Sequence, residues 1–194
     1  MELSRRHFIE ASLGTGMIGS LGACASLAPA QAESGMPAWH IGYQNAPRDG
    51  FAPAPLNLVF GKPPADLKGS LYRNGPAQFQ YGDDYASHWF DGDGLVHRIA
   101  IENGAAVHQA SFVGTRKRQE ELAADKFLAP GFGTLGDESY SVQSSDDVNA
   151  ANTSVLMVNG ELLALWEAGS AFAMNAETLE TTGPKTWRGD LKGM

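Results

Sequence analysis

The sequence predicts an all-β fold, and two observations carry that expectation. Asn103-Gly104 and Asn159-Gly160 each lie between short runs of strand-forming residues, the strongest short-range signature of a two-residue hairpin. Only Thr115–Lys126 carries a helical pattern. Taken in order, a Pro- and Ala-rich approach (Pro47, Pro53, Pro55, Pro63, Pro64) precedes strands at Leu95–Ile101 and Ala106–Val113, which flank the first turn. The helix follows. Phe127 to Asn152 is rich in Gly, Ser and Asp and reads as a long loop. Strands at Thr153–Val158 and Glu161–Trp166 flank the second turn, Ala171–Met174 comes next, and Asn175-Ala176-Glu177 makes a further reversal. Consecutive hairpins of short strands suit a sandwich, a barrel or propeller blades. No clean internal repeat chooses between them.

The densest local signal is His88-Trp89-Phe90-Asp91-Gly92-Asp93-Gly94-Leu95-Val96-His97. Glycines at alternate positions allow positive φ or close approach of another segment, and the two aspartates are expected to close the turn on nearby backbone N–H groups. A tight corner feeding a half-buried strand is the physical reading.

The first thirty-two residues have the form of an address. Ser4-Arg5-Arg6-His7-Phe8-Ile9 is a twin-arginine signal, followed by a mild Gly- and Ala-rich stretch too short to span a membrane. Ala28-Pro29-Ala30-Gln31-Ala32 offers small residues for cleavage, so that Glu33 begins the mature chain. Leu21-Gly22-Ala23-Cys24 competes as a lipobox that would acylate Cys24 and leave the protein membrane-anchored. Either outcome predicts export beyond the cytoplasmic membrane, to the periplasm.

Loss of residues 1–32 removes Arg5 and Arg6 together with Glu2 and Glu10, so the net charge stays at −8. Nothing basic remains to suggest nucleic-acid binding. Cys24 is the only cysteine, so a mature chain has no disulfide and must hold together by burial.

Several motifs invite chemistry that their contexts oppose. Gly14-Gly16-Gly19 lies within the export signal, and Gly131-Gly133-Gly136 follows Pro130, which cannot close a central strand into a nucleotide-binding turn. Asp91 and Asp93 resemble the start of a calcium loop, but Leu95 and Val96 stand where a third oxygen ligand and a glycine belong. A two-residue turn at Asn103-Gly104 sets His108 opposite Ile99, so His97 and His108 share a face as diagonal neighbours. Paired strand histidines are more often structural than metal-binding; neither a metal ligand nor a catalytic residue is assigned. Glu167 ends the apolar run Leu162–Trp166, either at a solvated strand end or buried with a partner. Lys126–Phe132 is an apolar patch within the long loop.

Gly69-Ser70-Leu71-Tyr72-Arg73-Asn74-Gly75-Pro76 and the His88–His97 segment resemble the N-terminal region of the carotenoid cleavage oxygenases. Ala110-Ser111-Phe112-Val113 with Thr115-Arg116, Asn152-Thr153-Ser154-Val155, Leu163–Gly169 and Thr178-Leu179-Glu180-Thr181 continue the resemblance in order. It covers about residues 45–194, near the first third of such an enzyme.

The resemblance implies a seven-bladed β-propeller, of which this chain would form an N-terminal arm (33–68) and the first blades (69–194), leaving it incomplete. It implies an Fe(II)-dependent dioxygenase that adds O₂ across a conjugated double bond of a carotenoid or apocarotenoid. Stilbenes are the close alternative, and a non-catalytic propeller-derived binding protein is a third. The four iron-binding histidines would all belong to later blades, so this chain alone is expected to bind no iron and to be inactive. Glu167 matches a glutamate that hydrogen-bonds an iron-ligating histidine. The Lys126–Phe132 region would contribute to an apolar entrance for lipophilic substrates, with contact to a membrane surface.

Overall fold

The computed structural model describes residues 38–189. Two four-stranded antiparallel sheets dominate. The first is built from β1 (Phe51–Leu56), β2 (Gly69–Pro76), β5 (Gly94–Glu102) and β6 (Ala105–Phe112), in the order β1-β6-β5-β2. The second is an unbroken meander of β7 (Ser154–Val158), β8 (Glu161–Leu165), β9 (Phe172–Met174) and β10 (Thr181–Pro184). A two-stranded ribbon of β3 (Gln80–Tyr81) and β4 (Asp84–Tyr85) lies between β2 and β5 in sequence. The α-helix among the described residues, α1, spans Arg116–Ala124.

Both Asn-Gly turns form as expected. Asn103 and Gly104 have φ of 54° and 77°, and Asn159 and Gly160 have 49° and 83°. Two successive positive φ values give the reversal that matches strand twist. The first turn pairs Glu102 with Ala105, and the resulting register sets Ile99 opposite His108. At the third reversal the Asn175 side-chain oxygen accepts from the Glu177 and Thr178 amides, so the asparagine closes its own turn.

Strand β1 was not foreseen. It arises within the proline-rich arm, where Pro53 and Pro55 interrupt the donor row. Such residues are tolerated on an edge, and β1 is an edge, paired only with β6 within its sheet. Helix α1 is shorter than expected because Thr115 caps it, accepting from the Arg118 amide, while Asp125 ends it in the left-handed conformation.

The core lies where the sheets meet. Val96 and Val113 from the first sheet side pack with Leu162, Ala164, Phe172, Met174 and Leu179 from the second. Hydrogen bonds cross beside it. The Tyr72 hydroxyl donates to the Ala176 carbonyl at 2.8 Å, and Arg98 donates to the Glu177 carbonyl at 3.2 Å. Burying aliphatic side chains of this size stabilises by roughly 1.5–3 kcal/mol each, so this seam is the main apolar contribution to joining the sheets.

Candidate functional site

The Asp-Gly-Asp-Gly corner joins three remote segments, and its aspartates do not serve the local turn. The Asp91 carboxylate accepts from the amides of Phe132, Gly133 and Thr134 and from the Thr134 hydroxyl, at 2.5–3.0 Å. Asp93 faces the helix and accepts from Lys117 at 2.9 Å. The expectation of nearby amide partners is corrected here: at Asp91 an anion draws a whole loop of N–H donors onto itself, which no single short turn could supply. The glycines serve close approach. A Cβ on Gly92 would lie 2.7 Å from the Phe79 ring, and one on Gly94 would lie 2.1 Å from the Ala151 carbonyl oxygen. Gly131 is likewise required, since a Cβ there would meet Asp91 Oδ1 at 2.4 Å. The second glycine-rich motif therefore wraps a carboxylate of its own chain.

Beneath the corner lies a buried charge cluster that sequence reasoning missed. Lys117 bridges Asp93 at 2.9 Å and Glu121 at 2.7 Å, with 2% of its side chain exposed. The Tyr81 hydroxyl bonds Asp93, and Glu121 also accepts from the Leu128 and Ala129 amides. Burial opposes the Lys117 charge, but the two carboxylates outweigh it and hold its pKa above the ordinary lysine value. Burial followed by the Asp93 charge raises Tyr81 well above a free phenol, so it stays a hydrogen-bond donor. The cluster is a staple rather than a reactive centre: each charge is matched by an opposite charge or by fixed donors.

The cleft that matters for chemistry lies between β2 and the start of β7. It has a volume of about 390 Å³ and is lined by Arg73, Pro76, Trp89, Phe90, Thr153 and Glu167. Glu167 lies just past the end of β8, is exposed, and its Oε2 accepts from the Thr153 hydroxyl at 2.5 Å. That bond holds the Glu167 carboxyl below its ordinary pKa, so it is an anion near neutrality. Of the sequence alternatives Glu167 takes the solvated strand end, and at that exposed position it still has a hydrogen-bond partner. The signal for the partner was present. Counting back from Asn159-Gly160 sets Ser154 against Leu165, which brings Thr153 beside the residues that follow β8.

The histidines are dispersed. His97 and His108 do meet, with Nδ1 and Nε2 2.9 Å apart and rings stacked beside Phe51. Burial, then the charges of His108 and Arg73, lowers the His97 pKa. These two nitrogens engage each other. His88 caps the short turn Trp89–Asp91 and packs on Phe90 and Phe132, while His40 packs at a tilt against Trp39. Among the described residues no three His, Cys, Asp or Glu side chains converge as a metal site. The Lys126–Phe132 patch divides. Phe127 is 6% exposed, packed edge-on against Tyr81, whereas Phe132 is 76% exposed. Arg5, Arg6 and Cys24 lie outside the described residues.

A family model described as retinal pigment epithelial membrane protein matches residues 45–194. The chain belongs to the carotenoid oxygenase family. Apocarotenoid-15,15'-oxygenase from Synechocystis sp. is 36% identical over 149 residues, covering 75% of this chain and 30% of that protein. Resveratrol cleavage oxygenase 1 from Chaetomium globosum is 35% identical, covering 69% of this chain and 22% of its own length. A cobalt-substituted form of the Synechocystis apocarotenoid oxygenase superposes with a TM-score of 0.70 at 34% identity, over 79% of this chain and 33% of that one. Other solved forms of that oxygenase carry substitutions at a glutamate, a threonine or a tryptophan. The chain thus spans about a third or less of the length of these relatives. In line with that family membership, its two four-stranded sheets are blades of a partial β-propeller.

Proposed function

We propose that this chain supplies the first two blades of an Fe(II)-dependent dioxygenase that cleaves a conjugated carbon–carbon double bond of a carotenoid or apocarotenoid into two carbonyl products. The observation that carries the reading is the Thr153–Glu167 pair at the cleft between the blades. The threonine, tryptophan and glutamate substituted in the Synechocystis oxygenase are spaced along its chain as Thr153, Trp166 and Glu167 are here, which supports the same use of all three.

Iron bound by four imidazoles needs ligands from outside the described residues, since no such set converges within them. What this chain fits is the support for one ligand. Thr153 takes one acceptor position of the Glu167 carboxylate; others remain for a ring N–H of a ligating histidine. That bond would fix the ring's tautomer and orientation and raise its basicity. Bound Fe(II) would supply the site at which O₂ is activated. Exposed Phe132 and Leu135 provide apolar surface for a lipophilic substrate or a membrane face.

A stilbene is the second reading, favoured by the identity to the resveratrol cleavage oxygenase. Incubation of iron-loaded protein, translated from the whole reading frame, with an apocarotenal and separately with resveratrol under oxygen separates the two by their carbonyl products. Glu167→Gln should lower turnover by roughly 10–100-fold. Absence of cleavage with both substrates overturns the reading. The 194-residue chain alone should hold no stoichiometric iron and form no carbonyl product; one equivalent of tightly bound iron would assign ligands to His40, His88, His97 or His108 instead. Arg5 and Arg6 support export of the folded protein by the twin-arginine route, with Cys24 as the anchoring alternative to cleavage.

A further inference from the structure

The short segment leading into β7 is held in an uncommon conformation by more bonds than its length requires. Ala151 is fully buried and has φ of 44°, in the left-handed region that disfavours a residue bearing Cβ. Its amide donates to the Asn149 side chain at 2.9 Å, and the preceding carbonyl, of Ala150, accepts from the Gly94 amide at 2.9 Å. Asn74, on β2 of the other blade, donates its one amide group to two carbonyls, Ala151 at 2.7 Å and Ser154 at 3.0 Å. Asn152 donates to the carbonyls of Phe90 and Gly92 at 2.8 and 2.7 Å. Thr153 lies between these clamps, and its amide donates to Leu165 at 3.0 Å.

The Asn74 amide is also oriented at a cost. Its Oδ1 is buried without a hydrogen-bond partner, an arrangement that forfeits solvation. Turning the amide over would face that oxygen onto two carbonyl oxygens, so the donor end is the one the site requires. Strain of this kind persists only where surrounding bonds over-determine it, and such segments concentrate at functional sites.

We propose that Asn74 and Asn152 are positioning residues that, across the two blades, fix the left-handed turn at Ala151 and thereby aim the Thr153 hydroxyl at Glu167. The inference rests on the reading of Glu167 as the carboxylate that orients an iron-ligating histidine, and it names what orients Glu167 in turn. Asn74 reaches no reacting atom; it acts through Thr153. Thr153 is exposed, and its hydroxyl also lies 3.4 Å from the Asn152 Oδ1, so the clamped asparagine borders the hydroxyl it positions.

The test follows the Glu167 side-chain carboxyl by carbon-detected NMR against pH in this chain, which needs no iron. In the unsubstituted protein its midpoint should lie below that of an ordinary glutamate. Asn74→Leu, which keeps bulk but removes both donors, should raise it as far as Thr153→Val does. Asn74→Ser retains one donor and should return it partway. Thr153→Val, at an exposed position, should return it most of the way, a backbone hydrogen bond at Glu167 keeping the remainder. Phe127→Leu lowers stability where that ring packs on Tyr81, outside the cluster that holds Ala151, and should leave it depressed, which separates positioning from general loosening. An unmoved midpoint in folded Asn74→Ser, or in Thr153→Val, overturns the proposal. Failure of the iron reading would appear only in metal content and turnover and would leave these midpoints as they are.

Discussion

Asp93 and Lys117 stand 2.9 Å apart with side chains 1% and 2% exposed. Lys117 is shared with Glu121 at 2.7 Å, so one ammonium compensates two buried carboxylates. Lys117→Met would leave Glu121 without a counter-ion and Asp93 with only Arg118, 3.6 Å away. Breaking one side of a buried pair costs about 3–5 kcal/mol. Urea denaturation should show a loss of that order, and a loss below about 1 kcal/mol would mean that the carboxylates take up protons cheaply.

Asp91 holds the loop through three amides and a hydroxyl. Asp91→Ala should release that loop while the sheets remain. Hydrogen exchange at the amides of Phe132, Gly133 and Thr134 should accelerate selectively, by at least tenfold. A global rise in exchange instead would make Asp91 part of the folding core.

Gly94 has no room for a side chain, because a Cβ would lie 2.1 Å from the Ala151 carbonyl oxygen. Gly94→Ala must push β5 away from the segment leading into β7. Overpacking of this kind costs about 1–3 kcal/mol, read as a lower midpoint in thermal or urea unfolding. Gly104→Ala, where nothing lies within 4 Å of the added carbon, should show only the strain of its positive φ.

Acid should weaken the first blade. The folded state lowers the His97 pKa through burial and then the His108 and Arg73 charges. The unfolded chain therefore takes up this proton first as pH falls through about 6.5. Stability from this group is complete above that pH and is lost as pH falls toward the folded value. His97→Asn should flatten the pH dependence of urea midpoints below about 6.5; an unchanged slope would assign the acid sensitivity to other groups.

Replacing Arg5 and Arg6 by lysines should retain the protein in the cytoplasm, and undiminished periplasmic delivery would refute the twin-arginine reading. Palmitate incorporation that disappears with Cys24→Ala would decide for anchoring over cleavage after Ala32.

Hairpins were legible in the sequence because their determinants are local. Asn-Gly at 103–104 and 159–160 sets both turn and register, and from register alone followed the meeting of His97 with His108. The long-range pairings were not legible. Nothing near Asp91 announces that its partners are Phe132 to Thr134, because an aspartate beside glycines fits a local turn equally well. The prolines at 53 and 55 argued against a strand, yet an edge position removes the objection. At the candidate site, Glu167 was found by resemblance and Thr153 was within reach by counting register. Asn74 was not, since its role depends on the approach of two blades.

The placement of β1 has a consequence for the order of assembly. Phe51–Leu56 is made well before Ala105–Phe112, the strand it pairs with. The β5–β6 hairpin closes over a two-residue turn, whereas β1 must wait for about fifty intervening residues and a longer loop closure. Among the described residues, the first strand synthesised is thus the last placed in its blade. During that wait Pro53 and Pro55 leave gaps in its row of donors, so a nascent neighbour finds a poor template there. The same two residues that hid the strand from the sequence keep it from mispairing before its partner exists.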